Sequence, residues 1–222
     1  MLDKGLVPYA EAREMQRMYV QQRQQDQIPD TLLVLEHAPT VTYGRGADRT
    51  NLLLTPEGYA ERGIALRETD RGGDVTYHGP GQLIGYPILH LGEGCRDLHH
   101  YVQRLEAVLI AASGDLGVAG ADRAPWHAGV WVGDGYLAAL GVRVARWVTH
   151  HGFALNVDNR IQAGFATIVP CGVVGKRIVT VEELAGHPVS LPEAARCVEA
   201  RFKEVFAAGL DKETHAVYNR PH

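Results

Sequence analysis

The chain is predicted to fold as one mixed α/β (α+β) domain, a mixed sheet flanked by helices, on three observations. Strand-like and helix-like patterns intermix along its 222 residues, with no internal repeat and no low-complexity linker. Two segments carry apolar residues at three- and four-residue steps, the stripe of an amphipathic helix. Short apolar and β-branched runs lie between turn residues, as strands do. A chain of this length buries one sizeable core or at most two small ones. The expected domain spans residues 1–210, and the polar stretch 211–222 is a tail.

In chain order, Tyr9 to Gln27 reads as a helix with polar, Gln-rich outer turns, stopped at Pro29-Asp30. Thr31 to Glu36 is a buried strand, and Thr40 to Gly44 is the next, after a turn at Ala38-Pro39. Ile64 to Thr69 is a third strand that runs into a Gly-rich loop, and Gln82 to Leu91 is a long strand leading out of it. Asp97 caps a helix that reaches Leu116 with Leu98, Val102, Leu105, Leu109 and Ala112 on one side. Gly129 to Val132, Tyr136 to Val144 and Gly152 to Val157 are β segments, with Asp134-Gly135 as a hairpin turn. Phe165 to Val169 is a last short strand or extended segment. Leu191 to Phe206 is the second amphipathic helix, and Cys197 within it has a packing role.

A hydrophobic content of 45% and a charged content of 22% are those of a soluble globular protein. The net charge of −4, with 18 arginines scattered rather than clustered, argues against nucleic-acid binding. No run of 18 apolar residues predicts a membrane span, and the N-terminus lacks the basic-then-apolar build of a signal peptide; the expected location is cytoplasmic. Cys95, Cys171 and Cys197 are odd in number and widely spaced, which argues against a disulfide framework and a zinc finger. No HxxxH, HExxH or GxxxxGK[ST] pattern occurs, so neither a metal site nor a phosphate loop is expected. Arg45, between two glycines, reads as a hairpin arginine.

The most informative stretch is Arg71-Gly72-Gly73-Asp74-Val75-Thr76-Tyr77-His78-Gly79-Pro80-Gly81-Gln82. Glycines let backbone approach a ligand closely, and a rigid loop that holds a few polar groups is what a small-molecule site looks like in sequence. Cys171, between Pro170 and Gly172, has the context of a nucleophile whose neighbouring N–H can face an oxyanion; a buried structural cysteine fits the same residues. His78, His127, His150 and His151 are the histidines that can pair with such a thiol. His78 is best placed by its glycine neighbours and His151 by the small residues that follow it. His99-His100 reads as a solvated helix face.

The stretch 71–87, together with Ala138-Ala139-Leu140-Gly141-Val142-Arg143, His151-Gly152-Phe153-Ala154-Leu155-Asn156 and Val169-Pro170-Cys171-Gly172, closely resembles the signature of the lipoyl(octanoyl) transferases. The likeness runs from about residue 5 to residue 208. The resemblance implies the fold of the biotin/lipoate protein ligase catalytic domain. It implies transfer of an octanoyl group from acyl carrier protein to a lysine on lipoyl domains of 2-oxoacid dehydrogenases or the glycine-cleavage H protein. Cys171 would carry the acyl chain as a thioester. Substrate contacts would fall on Arg71, Gly72, Gly73, Asp74, Val75, Thr76, Tyr77 and His78, on Ala139, Leu140 and Gly141, and on Gly152, Phe153 and Ala154. No cofactor, nucleic acid or membrane is implied, and the expected state is a monomer.

One position departs from the family pattern. Tyr136 stands where the family has a lysine held to lower the cysteine pKa and to move protons. A phenol is neutral at pH 7 and cannot stabilise a thiolate by charge. Lys176, His78 and His151 are the residues that can take over the task. The same departure leaves open an impaired acyl-binding or carrier-docking homologue. An ATP-using lipoate or biotin ligase is a third reading, opposed by the lack of a lysine in the matching strand.

Overall fold

The computed structural model describes residues 1–44, 46–170 and 175–207. The chain opens with β1 (Leu2–Val7), α1 (Tyr9–Gln24), β2 (Thr31–His37) and β3 (Thr40–Gly44), then α2 (Pro56–Glu61), β4 (Ala65–Thr69), β5 (Val75–His78) and β6 (Gln82–Ile88). Next come α3 (Leu98–Asp115), β7 (Ala121–Ala124), β8 (His127–Val132), β9 (Gly135–Ala145) and β10 (Val148–Asn156). The remaining elements are α4 (Gln162–Phe165), β11 (Arg177–Ile178), α5 (Val181–Ala185) and α6 (Leu191–Ala207).

Among the described residues, the larger sheet runs β1-β2-β6-β10-β9-β8-β7, with β11 parallel to the start of β9. It is antiparallel except at β1–β2 and β11–β9, so the sheet is mixed. A smaller sheet, β4-β3-β5, stands beside it. Period-two alternation explains the layering. Leu32 and Val34 of β2, Leu83 of β6, and Phe153 and Leu155 of β10 face one core, shared with α3 and α6. Leu33 and Leu35, Ile84 and Tyr86, and Ala154 face the other, covered by Ala12 and Met15 of α1. Helix ends obey local chemistry. Asp97 accepts hydrogen bonds from the His99 and His100 amides, Thr55 accepts from the Gly58 amide ahead of Pro56, and Thr180 accepts from the Glu183 amide.

Several elements differ from the sequence-based expectation. α1 ends at Gln24 rather than Gln27. β1 and β7 are edge strands whose residues, exposed or half-exposed except for Val7, give no apolar run to detect. β6 ends at Ile88, and His90 meets Val148 only as an isolated bridge. The hairpin turn is Gly133-Asp134, with Gly133 at φ +57°, because Gly135 already belongs to β9. Phe165 to Val169 is not a strand. Phe165 closes α4, and Ile168 forms a single bridge to Leu52, which ties this segment to the turn at Arg49–Asn51. The polar tail, Arg45 and Cys171 lie outside the described residues.

Candidate active site

The Gly-rich stretch folds around its own arginine. The Arg71 guanidinium donates to the Thr42 carbonyl at 2.9 Å, to Thr42 Oγ1 at 3.0 Å and to the Asp74 carbonyl at 2.8 Å, and through Nη1 to the Gly72 carbonyl at 3.0 Å. A planar fork of donors can hold four acceptors in fixed directions, which a lysine cannot. Gly73 makes the return with φ +89°. From Val75 to His78 the stretch is not loop but β5, paired with β3. Its alternation splits the predicted contacts. Thr76 and His78 face a slot of about 60 Å³, whereas Val75 and Tyr77 pack with Val41, Tyr59 and Phe165 in a separate apolar cluster.

That slot lies where the start of α1 meets both sheets. Arg71, Gly73, Thr76 and His78 line one side. Ala139, Leu140 and Gly141 of β9, and His151, Gly152, Phe153 and Ala154 of β10, line another. Tyr9, Ile84, Tyr86 and His127 complete it. Of these four, His127 carried a sequence signal as a candidate partner for a thiol; Ile84 and Tyr86 lie within the 71–87 signature but were not among the expected contacts, and Tyr9 gave no signal, since nothing local marks a helix-start tyrosine as a pocket wall. The β9 and β10 walls are mainly apolar, as suits a fatty chain, and the polar side chains gather on the side of α1, β5 and the Arg71 loop.

The polar groups of the slot are held by a directed relay. Asn156 Nδ2 donates to the carbonyls of Tyr136 and Val179, both at 3.3 Å, so its Oδ1 is left to accept from Gln82 Nε2 at 2.9 Å. Gln82 Oε1 must then accept from His78 Nδ1, at 2.8 Å. His78 is thereby fixed with its proton on Nδ1, and Nε2 faces the Thr42 hydroxyl at 3.4 Å. Beside it, His37 Nδ1 donates to the Val7 carbonyl at 2.7 Å and accepts at Nε2 from the Tyr86 hydroxyl at 2.7 Å. Tyr9 donates to Thr69 Oγ1 at 3.0 Å.

The Thr76 hydroxyl is buried and has no hydrogen-bond partner among the described residues. An unmet buried hydroxyl costs about 1–3 kcal/mol. Thr76→Val, close to isosteric, is therefore expected to raise the melting temperature of the ligand-free protein by about 2–4 °C. Differential scanning calorimetry checks this, and an unchanged or lowered midpoint contradicts it.

Burial keeps the site histidines neutral. It lowers the pKa of His37 to about 4. Burial, then the neighbouring His37 and Arg71, lowers that of His78 to about 3. His151, which adopts φ +55°, is lowered to about 4 by burial and by His150, and its Nε2 donates to Asp70 at 3.1 Å. Burial opposes the Asp70 charge, yet the His151 hydrogen bond and Arg13 outweigh it and hold the carboxyl at about 2. These shifts set the sign of the pH dependence. The unfolded histidines take up protons near 6.5 and the folded ones only near 3–4. The native state therefore binds fewer protons in that window, and stability present above pH 6.5 is lost as pH falls towards 4. Thermal midpoints measured across that range are expected to fall with pH, and less steeply in His37→Gln.

The other predicted residues lie outside the slot. Gly72 is exposed on the Arg71 loop. Asp74 accepts from the Asp48 amide at 2.9 Å and from Asn51 Nδ2. The Asn51 carbonyl in turn accepts from the Val169 amide at 2.8 Å, so Asp74 connects the Gly-rich stretch to the segment leading towards Cys171. Tyr136 is buried, stacked on Trp131 at 4.4 Å, and does not line the slot. Lys176 pairs with Asp134, lies 5.6 Å from the Trp126 ring centroid and borders a different, open cleft with Pro170. His150 borders a third cleft, beside α1.

This architecture is shared with lipoate and biotin protein ligases. A crystal structure of lipoate-protein ligase A bound with ATP superposes with a TM-score of 0.72 at 13% identity, covering 93% of this chain and 86% of that one. A bipartite lipoate protein ligase from Thermoplasma acidophilum gives 0.69 at 15% identity, covering 93% and 84%. The Aquifex aeolicus biotin protein ligase gives 0.55 at 14% identity, covering 92% and 68%. Identities this low establish the fold alone. The sequence goes further. The profile of the lipoyl protein ligase A/B catalytic domain matches residues 8–203. The octanoyltransferase of Syntrophotalea carbinolica is 43% identical over 94% of both chains, and that of Gloeobacter violaceus 47% identical over 93% of this chain and 89% of its own. The chain belongs to the lipoyl protein ligase A/B catalytic-domain family, among its octanoyltransferases.

Proposed function

We propose that the chain is an octanoyltransferase that moves the acyl group in two steps, from octanoyl-acyl carrier protein to Cys171 and from that thioester to a lysine of a lipoyl domain. The observation that carries this reading is the narrow apolar slot between the arginine-braced loop and the β9–β10 pair, in a chain whose full-length relatives are octanoyltransferases. Each buried CH₂ is worth about 0.8 kcal/mol, so every methylene of the acyl chain that enters the slot adds binding energy. Thioester exchange needs no activation, since one C–S bond replaces another and the thiolate is an effective nucleophile. Lipoyl domains of 2-oxoacid dehydrogenases and the glycine-cleavage H protein are the proposed acceptors, in the cytoplasm. Among the described residues, no helix is long and apolar enough to cross a membrane.

The buried Tyr136 supports a second reading, an acyl-binding homologue impaired in onward transfer. Intact-mass spectrometry separates the two. Incubation with octanoyl-acyl carrier protein should add one octanoyl group to the enzyme, and apo lipoyl domain should remove it. A stable adduct without onward transfer favours the impaired homologue. No adduct contradicts the thioester mechanism.

A further inference from the structure

Resting on the octanoyl-transfer reading, we infer that His127 is the general base that takes the proton from the acceptor lysine. The second half-reaction needs such a group. The amine attacks the thioester carbonyl, a C–N bond forms, the C–S bond breaks, and the thiolate leaves with the electron pair. The ammonium proton formed on nitrogen must pass to a base, which then returns it to the thiolate or to water.

The described residues that line the slot leave few candidates. His78 is buried, with Nδ1 committed to Gln82 and Nε2 facing Thr42. His151 is buried and spends Nε2 on Asp70. Arg71 is permanently charged and spans four acceptors. The Tyr9 and Tyr86 phenols are engaged by Thr69 and His37, and burial raises both of their pKa values. Among the described residues no lysine borders the slot, and Lys176 is paired with Asp134 at another cleft.

His127 differs from all of these. It opens β8, borders the slot and is half-buried, so an incoming amine and bulk water can both reach it. Its Nδ1 donates to the Ala128 carbonyl at 2.8 Å, which leaves the lone pair on Nε2. Among the described residues nothing hydrogen-bonds to that nitrogen. The ring packs edge-on beside Tyr136 at 5.4 Å and Trp131 at 5.8 Å, which fixes its place at the mouth of the slot. The tyrosine at position 136 thus contributes packing, not charge, beside the imidazole.

The test separates the half-reactions in the full-length enzyme. Acylation by octanoyl-acyl carrier protein and transfer from the isolated octanoyl-enzyme to apo lipoyl domain are each measured by quenched intact-mass spectrometry. His127→Gln is expected to keep acylation within about 3-fold and to slow transfer by about 100-fold, with loss of the acid limb of the transfer pH profile. His127→Phe, which keeps the aromatic packing, should be equally slow in transfer. Imidazole should restore part of the rate to His127→Ala. Transfer at the parent rate in the Gln or Phe variant overturns the assignment, as does an equal loss in both half-reactions without imidazole rescue. Failure of the unsubstituted enzyme to accept an octanoyl group at all overturns the transfer reading itself, and this inference with it.

Discussion

Replacing Cys171 by serine is expected to lower octanoyl transfer by at least about a thousandfold, with no octanoyl adduct seen by mass. A serine hydroxyl is not ionised at neutral pH without a dedicated base, and an oxygen ester formed in its place would be a poorer acyl donor to an amine than a thioester. Cys197→Ser is the matching control. Cys197 packs part-buried against the larger core, and burial with the nearby Asp115 and Glu193 raises its thiol pKa, which opposes nucleophilic behaviour. Single-turnover transfer assays on both variants decide the matter. Undiminished transfer by Cys171→Ser contradicts the thioester mechanism, whereas loss in Cys197→Ser alone would move the chemistry to α6.

Gly152→Ala is expected to cost about 3 kcal/mol or more and to lower the thermal midpoint by roughly 6–12 °C. A Cβ at this position would lie 2.1 Å from the Gly85 carbonyl oxygen and 2.6 Å from Pro87 Cδ. The obstacle is backbone in the central β6–β10 pair, so no side chain can swing aside, and the strands must part at the wall of the slot. Octanoylation should fall with stability. Gly46→Ala, where a Cβ meets nothing within 4 Å, should change stability by no more than about 0.5 kcal/mol. Calorimetry on the pair distinguishes a steric requirement for glycine from a general intolerance of substitution; a Gly152→Ala midpoint equal to the parent's contradicts close packing of β6 on β10.

The larger elements were legible because their signals are local. The stripes of α3 and α6 and the Asp97 cap need only neighbours three and four residues away. Weak-patterned elements were not. β5 hides inside a Gly-rich stretch, and only pairing with β3 makes Val75 to His78 a strand. Once it is a strand, alternation sends Thr76 and His78 to the slot and Val75 and Tyr77 away from it, a division that a reading of residues 71–78 as one loop could not make. Phe165 to Val169 has strand composition, but among the described residues its only β pairing is the bridge of Ile168 to Leu52, so α4 and a turn prevail.

By itself the sequence determined the mixed α/β class, the main helices and central strands, and the blocks that mark the family, because periodicity, capping and motif spacing are properties of short windows. Tertiary structure alone decided that Arg71 organises its own loop through Thr42, that Asn156 and Gln82 fix the His78 tautomer, and that Tyr136 is packed away while His127 borders the slot. The Arg71–Thr42 and Gln82–Asn156 contacts join residues 29 and 74 positions apart, and the placing of Tyr136 and His127 depends on which face of a strand meets a neighbouring strand. No local pattern encodes either, because hydrogen-bond direction and burial are set only when the sheets close on one another.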